Sequence, residues 1–236
     1  MAGQHLREFL LTALYMNLIP EALRAKTAEQ LRTRLHFDKM HLTTGFVGTP
    51  YLCPALSDNG LNEYAYALLL AEGCPSWLYE VSMGATTMWE RWNSMRPDHT
   101  FGPVSMNSFN HYAFGAIAEW MYRYMCGINP DENAPAFRHS VLRPQPNSQL
   151  SHAKASTLTP YGRLGCGWLI EGDTLHVTVE IPCNTAATVH LPDAEGAEIF
   201  ENGVSIGAAP VLERGSGVWE YQYRFSGETI HRRPKA

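Results

Sequence analysis

The sequence of 236 residues contains little charge and no excess of positive charge. Charged residues make up 17% of the chain, and 18 Lys and Arg stand against 23 Asp and Glu, which gives a net charge of −5. A protein that neutralises nucleic-acid phosphates, or one that binds a membrane through a polybasic segment, needs the opposite balance. We therefore expect neither nucleic acid nor a membrane among its partners.

Long apolar runs and the features of a signal peptide are also missing. No run approaches the roughly 18 apolar residues that a membrane-spanning helix needs. The N-terminal stretch has no basic region, no long apolar region and no small-residue cleavage site. These absences predict a cytoplasmic protein.

Cysteine is scarce, and the motifs of common metal and cofactor sites are absent. The five cysteines form no CxxC pair and accompany no His-rich cluster, which argues against a disulfide framework or a structural zinc site. There is no P-loop, no Gly-rich dinucleotide fingerprint and no His-Glu-x-x-His pair. A Gly-x-Ser-x-Gly match at 203–207 lies among strand-like residues with no helix after it, so we interpret it as chance. We expect no metal and no cofactor.

The residue types that are present are unevenly distributed, and this predicts two different folds. All nine Met and 18 of the 26 aromatic residues lie at or before residue 130. Before that point apolar residues recur at helical spacing, and after it they alternate with the period of two typical of strands. The predicted helices lie near 6–14, 21–36, 49–56, 64–68 and 114–124. The predicted strands include 174–181, 187–191, 197–200 and 219–225. We predict a helical domain over residues 1–130 and an antiparallel β-sandwich over residues 131–236.

A carboxylate between two tryptophans is the first candidate site. Glu90 lies between Trp89 and Trp92 in the stretch GATTMWERW. Apolar rings exclude water from a carboxyl group and raise its pKa, which suits proton transfer near neutral pH. Flat indole rings also offer a surface on which the apolar face of a sugar can stack. The alternative is that Trp89 and Trp92 are core anchors and that Glu90 pairs with a nearby Arg.

Two further segments are candidates for a ligand site. His111 stands where the last predicted helix begins, and it can donate or accept a hydrogen bond toward a ligand. A hydrogen-bonded structural histidine is the alternative. The segment 41–50, which contains glycine, threonine and proline, would either line a pocket as a tight loop or simply connect two helices. Residue types alone leave these alternatives open.

Five motifs, in this order and spacing, resemble the C-terminal part of bacterial α-L-rhamnosidases, glycoside hydrolase family 78. The motifs are TTGFVGTPYL (43–52), LSDNG (56–60), PSWLY (75–79), GATTMWERW (84–92) and NHYAFGA (110–116). The resemblance extends over residues 10–191 and is strongest over 41–127. It implies a catalytic (α/α)6 barrel of twelve helices followed by a β-sandwich, with this chain supplying about half of the barrel.

The resemblance also implies an activity and the residues that carry it. The family hydrolyses terminal α-L-rhamnosides with inversion, so rhamnose-terminated glycosides would be the substrates. Glu90 matches the family's general base, and His111 matches a histidine that contacts the bound sugar. Trp89 and Trp92 are motif neighbours and are carried over as walls of the substrate pocket.

One part of the family pattern has no counterpart in this sequence. The family's general acid comes from an acidic, Arg-containing segment in the N-terminal half of the barrel, and nothing here resembles that segment. We therefore expect a fragment of the enzyme that is inactive alone, with the missing N-terminal half of the enzyme as its partner. The alternatives are a non-catalytic carbohydrate-binding or structural fragment that needs a separately encoded N-terminal half, and a different (α/α)6 glycosidase.

Overall fold

The computed structural model of the chain describes residues 2–227 and 229–234. The described residues form two compact units. Unit 1 contains the described residues up to Ala118, together with Arg233 and Pro234. Unit 2 contains the described residues of Glu119–Arg232.

Unit 1 is helical, as the apolar spacing predicts. Its helices are α1 (Ala2–Tyr15), α2 (Glu21–Phe37), α3 (Thr49–Asp58), α4 (Asn62–Leu69) and α5 (Trp77–Ser82). Helix α1 packs on α2 and α3, and α3 packs on α4. The apolar stripe of α2 is buried at Leu31 and Leu35, whereas Leu23, which shares the stripe, is exposed. The first four helices confirm the prediction, and α5 is an element that the periodicity did not reveal.

The last predicted helix, 114–124, changes its winding along its length. A 3-10 helix over Ala113–Ala116 is followed by α6 (Ile117–Trp120) and by a π-helical turn over Met121–Met125. The π turn closes where the Cys126 N–H donates to the carbonyl oxygen of Met121 at 2.9 Å, five residues back. The helical segment is therefore confirmed, but it is not a regular α-helix.

The boundary of unit 2 lies before the end of this helical segment, because the last helical turns bond to the β domain. The Gln145 N–H donates to the carbonyl oxygen of Tyr124 at 2.9 Å, and the indole N–H of Trp168 donates to that of Met125 at 2.8 Å. These bonds explain why the boundary between the two compact units lies at 118–119. The domain boundary at residue 130 stays a prediction.

Unit 2 is built on one hydrogen-bonded sheet. Its strands are β1 (Ile128–Pro130), β2 (His139–Leu142), β3 (His152–Thr159), β4 (Gly162–Glu171), β5 (Thr174–His190), β6 (Ile199–Glu201), β7 (Val204–Gly207) and β8 (Val211–Arg224). The order is β1-β2-β5-β8-β6-β7, with β3 attached through β4 to β5. The pairs are antiparallel, apart from β2 and β5, which run parallel. A helical part followed by a mostly antiparallel sheet confirms the predicted fold class, and the parallel pair is an addition to it.

The long strand β5 organises the sheet. A register shift between Ile181 and Ala186 divides it into two halves, both of which pair with β8. The first half also pairs with β4 and the second with β2. The residues predicted to share one face of the first half are all buried: Leu175, Val177, Val179 and Ile181.

No helix among the described residues combines the length and apolar character needed to cross a membrane. The five cysteines are free thiols, and Cys53, Cys126 and Cys166 are buried.

Gly127, which ends the helical segment, allows a test of the fold. Its φ is +77°, and an added Cβ would lie 2.1 Å from the backbone nitrogen of Pro144. We expect Gly127→Ala to lower the free energy of unfolding by more than about 3 kcal/mol, since left-handed strain adds to backbone overlap. The measurement is urea unfolding of the full chain.

Gly172→Ala is the matched control in the same unit. Gly172 also has a positive φ, +63°, but nothing lies within 4 Å of its added Cβ. Only the left-handed strain of about 1–2 kcal/mol remains there. Equal losses for the two variants would contradict the role assigned to the Pro144 contact.

Candidate active site

Two segments of unit 1 that are distant in sequence lie side by side. The Glu90 N–H donates to the carbonyl oxygen of Ser108, and the His111 N–H donates to that of Met88, each at 2.9 Å. The hydroxyl of Thr87 also donates to the carbonyl oxygen of Phe109. The structure thus brings the Glu90 segment, 87–90, together with the His111 segment, 108–111.

The carboxylate of Glu90 is held at one oxygen. The Ser108 N–H donates to Glu90 Oε2 at 2.8 Å, and the side chain is half-buried. Within the described part of the chain, Oε1 has no hydrogen bond. One oxygen therefore fixes the orientation of the carboxylate, and the other is left to accept a hydrogen bond from water.

The imidazole of His111 is close to two aromatic rings. Its centroid is 4.7 Å from that of Phe46, at an interplanar angle of 20°, and 5.7 Å from that of Tyr112, at 2°. The Ala113 N–H donates to Nδ1 of His111 at 3.4 Å. Because Nδ1 accepts this bond, the neutral ring carries its proton on Nε2 and can donate it to a ligand.

Trp89 and Trp92 pack among other aromatic rings of unit 1. The ring of Trp92 stacks on Phe114 at a centroid distance of 3.9 Å and meets Trp77 edge-on at 5.5 Å. Trp89 meets Phe109 edge-on at 5.3 Å. Both indole rings are buried, and the partner of the Glu90 carboxylate is the Ser108 N–H rather than an Arg.

The loop 41–50 contributes an aromatic ring that sequence reasoning did not single out. Phe46 contacts His111 and also Phe114, whose ring centroid is 5.1 Å away. The loop is tied to α1 by the Gly45 N–H, which donates to Oε1 of Glu8 at 2.9 Å. Of the two alternatives for this loop, the structure therefore favours more than a simple connection, since the loop supports the His111 ring.

Glu80 is a second carboxyl group that sequence reasoning missed. It lies on α5 with only 3% of its surface exposed, and its Oε2 accepts a hydrogen bond from the Trp89 N–H at 3.3 Å. Oε1 is buried without a hydrogen-bond partner. Burial raises the pKa of Glu80 from 4.5 to about 7, against the smaller opposing effect of the Trp89 N–H. The i, i+3 spacing from Trp77 was the available signal, because it places Glu80 on the buried face of α5.

No group of three or more His, Cys, Asp or Glu side chains that could hold a metal ion occurs among residues 2–227 and 229–234.

Known proteins that are similar to this chain are glycosidases. The family model for the bacterial alpha-L-rhamnosidase 6 hairpin glycosidase domain matches residues 4–125. The model for the bacterial alpha-L-rhamnosidase C-terminal domain matches residues 127–205. The chain thus has the domain order of this class of glycosidase, a helical-hairpin glycosidase domain followed by the C-terminal domain.

Individual relatives agree with this class. An α-L-rhamnosidase of Streptomyces avermitilis is 42% identical over 179 residues, which are 76% of this chain and 17% of that protein. One of Formosa agariphila is 36% identical over 228 residues, 92% of this chain and 24% of that protein. The crystal structure of the Streptomyces avermitilis α-L-rhamnosidase complexed with L-rhamnose matches with a TM-score of 0.82 and 36% identity, over 92% of this chain and 21% of that one.

The chain belongs to the bacterial α-L-rhamnosidase family of glycoside hydrolases, and it matches a C-terminal portion of the enzymes of that family. It spans only 17% and 24% of the length of these two curated relatives. The resemblance identified from the five sequence motifs is confirmed.

The buried carboxyl group of Glu80 predicts a pH-dependent stability. A carboxyl pKa that is raised on folding means that the folded state binds a proton more tightly than the unfolded state. Stability therefore falls as the pH rises from about 4.5 to about 7, by up to about 3 kcal/mol. We expect Glu80→Gln, which cannot ionise, to lose correspondingly less stability between pH 5 and pH 8 than the unmodified chain, as measured by urea unfolding.

Glu72→Gln is the control for this comparison, because Glu72 is an exposed glutamate of the same unit. It should reproduce the pH dependence of the unmodified chain. If Glu80→Gln also reproduced it, the effect of burial on Glu80 would be refuted.

Proposed function

We propose that this chain supplies the general-base side of the catalytic site of an inverting α-L-rhamnosidase, and that Glu90 is the base. The observation that carries the proposal is the half-buried Glu90 carboxylate, held at Oε2 by the Ser108 N–H at 2.8 Å. A fixed carboxylate with one oxygen open to water can orient a water molecule and accept its proton. Family membership supports the choice of reaction.

The proposed reaction is a single displacement at the anomeric carbon of a terminal rhamnose. Glu90 accepts a proton from water as the water oxygen attacks from the side opposite the leaving group. An acid protonates the departing oxygen, and in inverting glycosidases the two carboxyl groups are about 6.5–9.5 Å apart, which leaves room for the water. In the product, the oxygen of the water molecule is bonded to the anomeric carbon, and the configuration at that carbon is inverted.

His111 is proposed to bind the substrate, and the two tryptophans, whose indole rings are buried, are proposed to form a wall of the substrate pocket. The Nε2 proton of His111 is available because Nδ1 accepts the Ala113 N–H, so His111 can donate to a sugar hydroxyl. The aromatic contacts of Trp89 and Trp92 support a wall beside Glu90 that keeps the site rigid and apolar.

We further propose that the general acid lies outside this chain. The pKa of Glu80, about 7, would suit an acid, but its burial and its bond to the Trp89 N–H keep it from a substrate. Several large apolar side chains of unit 1 are more than 60% exposed, as expected of a barrel that lacks part of its helices: Phe9, Leu18, Phe37 and Val81. These surfaces support an N-terminal half of the barrel as the partner.

The 236-residue chain alone should hydrolyse aryl α-L-rhamnosides at no more than the background rate. One accessible carboxylate cannot both activate the water and protonate the leaving group. The measurement is release of p-nitrophenol from p-nitrophenyl α-L-rhamnoside by the purified chain. Robust turnover would show that the acid is present in this chain.

The role of Glu90 is tested after the chain is completed, by joining it to the N-terminal remainder of the Streptomyces avermitilis enzyme in place of the matched segment. We expect Glu90→Gln to lower kcat by about 10²–10⁴-fold, because a general base contributes an effect of that size. Glu72→Gln serves as the control and should leave kcat unchanged.

A chemical rescue distinguishes a base from a merely structural carboxylate. Azide needs no deprotonation, so it should restore turnover to Glu90→Ala and give rhamnosyl azide of inverted, β configuration. Product of α configuration would contradict inversion. Failure of rescue together with normal kcat for Glu90→Gln would mean that the base is another residue.

A further inference from the structure

A groove of about 650 Å³ lies on unit 2, among residues of β3, β4, β5, β6 and β8. Six side chains carry the argument, and they define what we call the sheet groove: Lys154, His176, Thr178, Phe200, Glu220 and Gln222. Its volume is within the range of about 300–1,000 Å³ typical of small-molecule sites. The residues proposed to act in catalysis all lie in unit 1, so none of them lines this groove.

Strand register places these side chains on the same face of the sheet. Lys154 pairs with Gly167, which pairs with Thr178, which in turn pairs with Glu220. Cross-strand partners project to the same side of a sheet, and their buried neighbours project to the opposite side. The groove face is therefore the outer face, opposite the core.

A second row, two residues along, runs beside the first. It crosses β5, β8 and β6 through His176, Gln222 and Phe200, which are cross-strand partners. Neighbouring strands lie about 4.8 Å apart, so the five strands of the groove extend over about 19 Å. The groove is thus elongated across the strands.

Gly167 keeps the middle of the first row open. A Cβ added there would lie 2.8 Å from the Cβ of Lys154 and 3.2 Å from the carbonyl oxygen of Ala153. The close approach of β3 and β4 at this point therefore excludes a side chain. The floor of the groove consists of backbone between Lys154 and Thr178.

Four polar side chains of the groove are available to a ligand, whereas Nε2 of His176 already lies 3.2 Å from Oε2 of Glu171. In the described part of the chain, the side chains of Lys154, Thr178, Glu220 and Gln222 make no hydrogen bond or ion pair with the protein. They offer an ammonium donor, a hydroxyl, a carboxylate acceptor and an amide that both donates and accepts. The charges of Lys154 and Glu220 cancel, so the groove has no preference for an ion of either sign.

An aromatic ring completes the set. Phe200 is 39% exposed, and its ring lies at the end of the second row, next to Gln222. A ligand that is uncharged, carries many groups that both donate and accept, and also has an apolar face fits these side chains together. Sugar rings have all three properties.

We propose that the sheet groove is a second carbohydrate-binding site, which takes a segment of a neutral oligosaccharide. Phe200 stacks on the apolar face of one sugar ring, Lys154 donates to sugar hydroxyls, and Glu220 and Gln222 accept from them. The proposal does not depend on the roles of Glu90 and His111. It gives unit 2 a function of its own, to hold a glycan chain.

The test is titration of the full 236-residue chain with four sugars, and binding is measured by calorimetry and saturation-transfer NMR. The sugars are L-rhamnose, a rhamnose-containing tetrasaccharide, cellotetraose and tetragalacturonate. We expect at least one neutral tetrasaccharide to bind with a Kd of about 1 mM or tighter. Absence of binding by both neutral tetrasaccharides, or tighter binding of the anionic tetragalacturonate, would overturn the proposal.

Phe200→Ala and Tyr161→Ala form a matched pair of variants. Tyr161 is 38% exposed, almost the same as Phe200, and lies in the turn between β3 and β4, outside the groove. We expect Phe200→Ala to weaken binding about tenfold, from the loss of aromatic stacking, and Tyr161→Ala to leave it unchanged. Equal effects of the two variants would refute the assigned place of the ligand.

Two further variants keep the test independent of folding and of catalysis. Thr178 is exposed, so Thr178→Trp fills the groove without disturbing the core and should abolish binding while the circular dichroism spectrum stays the same. Glu90→Gln should leave binding unchanged. Retained binding in Thr178→Trp would contradict the proposal, and loss in Glu90→Gln would assign the sugar to the candidate active site instead.

Discussion

The main-chain hydrogen bonds between segments 87–90 and 108–111 are the constraint on which the candidate active site depends. Each such bond contributes only about 1 kcal/mol of net stability. Their larger effect is geometric, because they fix which residue of one segment lies opposite which residue of the other. A different pairing would place other side chains next to one another. The positions of Glu90 and His111 relative to one another thus follow from backbone pairing rather than from contact between their side chains.

Two features of unit 1 support this pairing. One is aromatic, since Phe46 lies against both His111 and Phe114, and Phe114 stacks on Trp92. The other is the buried carboxyl of Glu80, which accepts from the Trp89 N–H. Desolvation makes the charged form of such a carboxyl costly. A buried acidic group beside the Glu90 segment is therefore a stability cost, which the surrounding packing must offset.

Some of these features were within reach of the sequence, and others depended on tertiary contacts. Helical spacing predicted α1 to α4, and alternation predicted the inner face of β5, because a single buried face imposes a period. Helix α5 is only six residues long, too short to establish a period, and its burial of Glu80 contradicts the usual exposure of glutamate. The five motifs pointed to the Glu90 and His111 segments. The hydrogen bonds between these two segments link residues that are 18 to 23 positions apart in sequence, and no local pattern encodes them.

The β domain separates stability from recognition by the alternation of its strands. On β5 and β8, Val177 and Tyr221 face the core, whereas the neighbouring Thr178 and Glu220 face the groove. The inner residues are constrained by packing, since a core tolerates little change of volume. The outer residues carry no such constraint, and their chemistry can be fitted to a ligand at little cost to the fold. A cation and an anion in one row without an ion pair between them are consistent with a surface arranged for a ligand, because nothing in the packing of the sheet requires either charge.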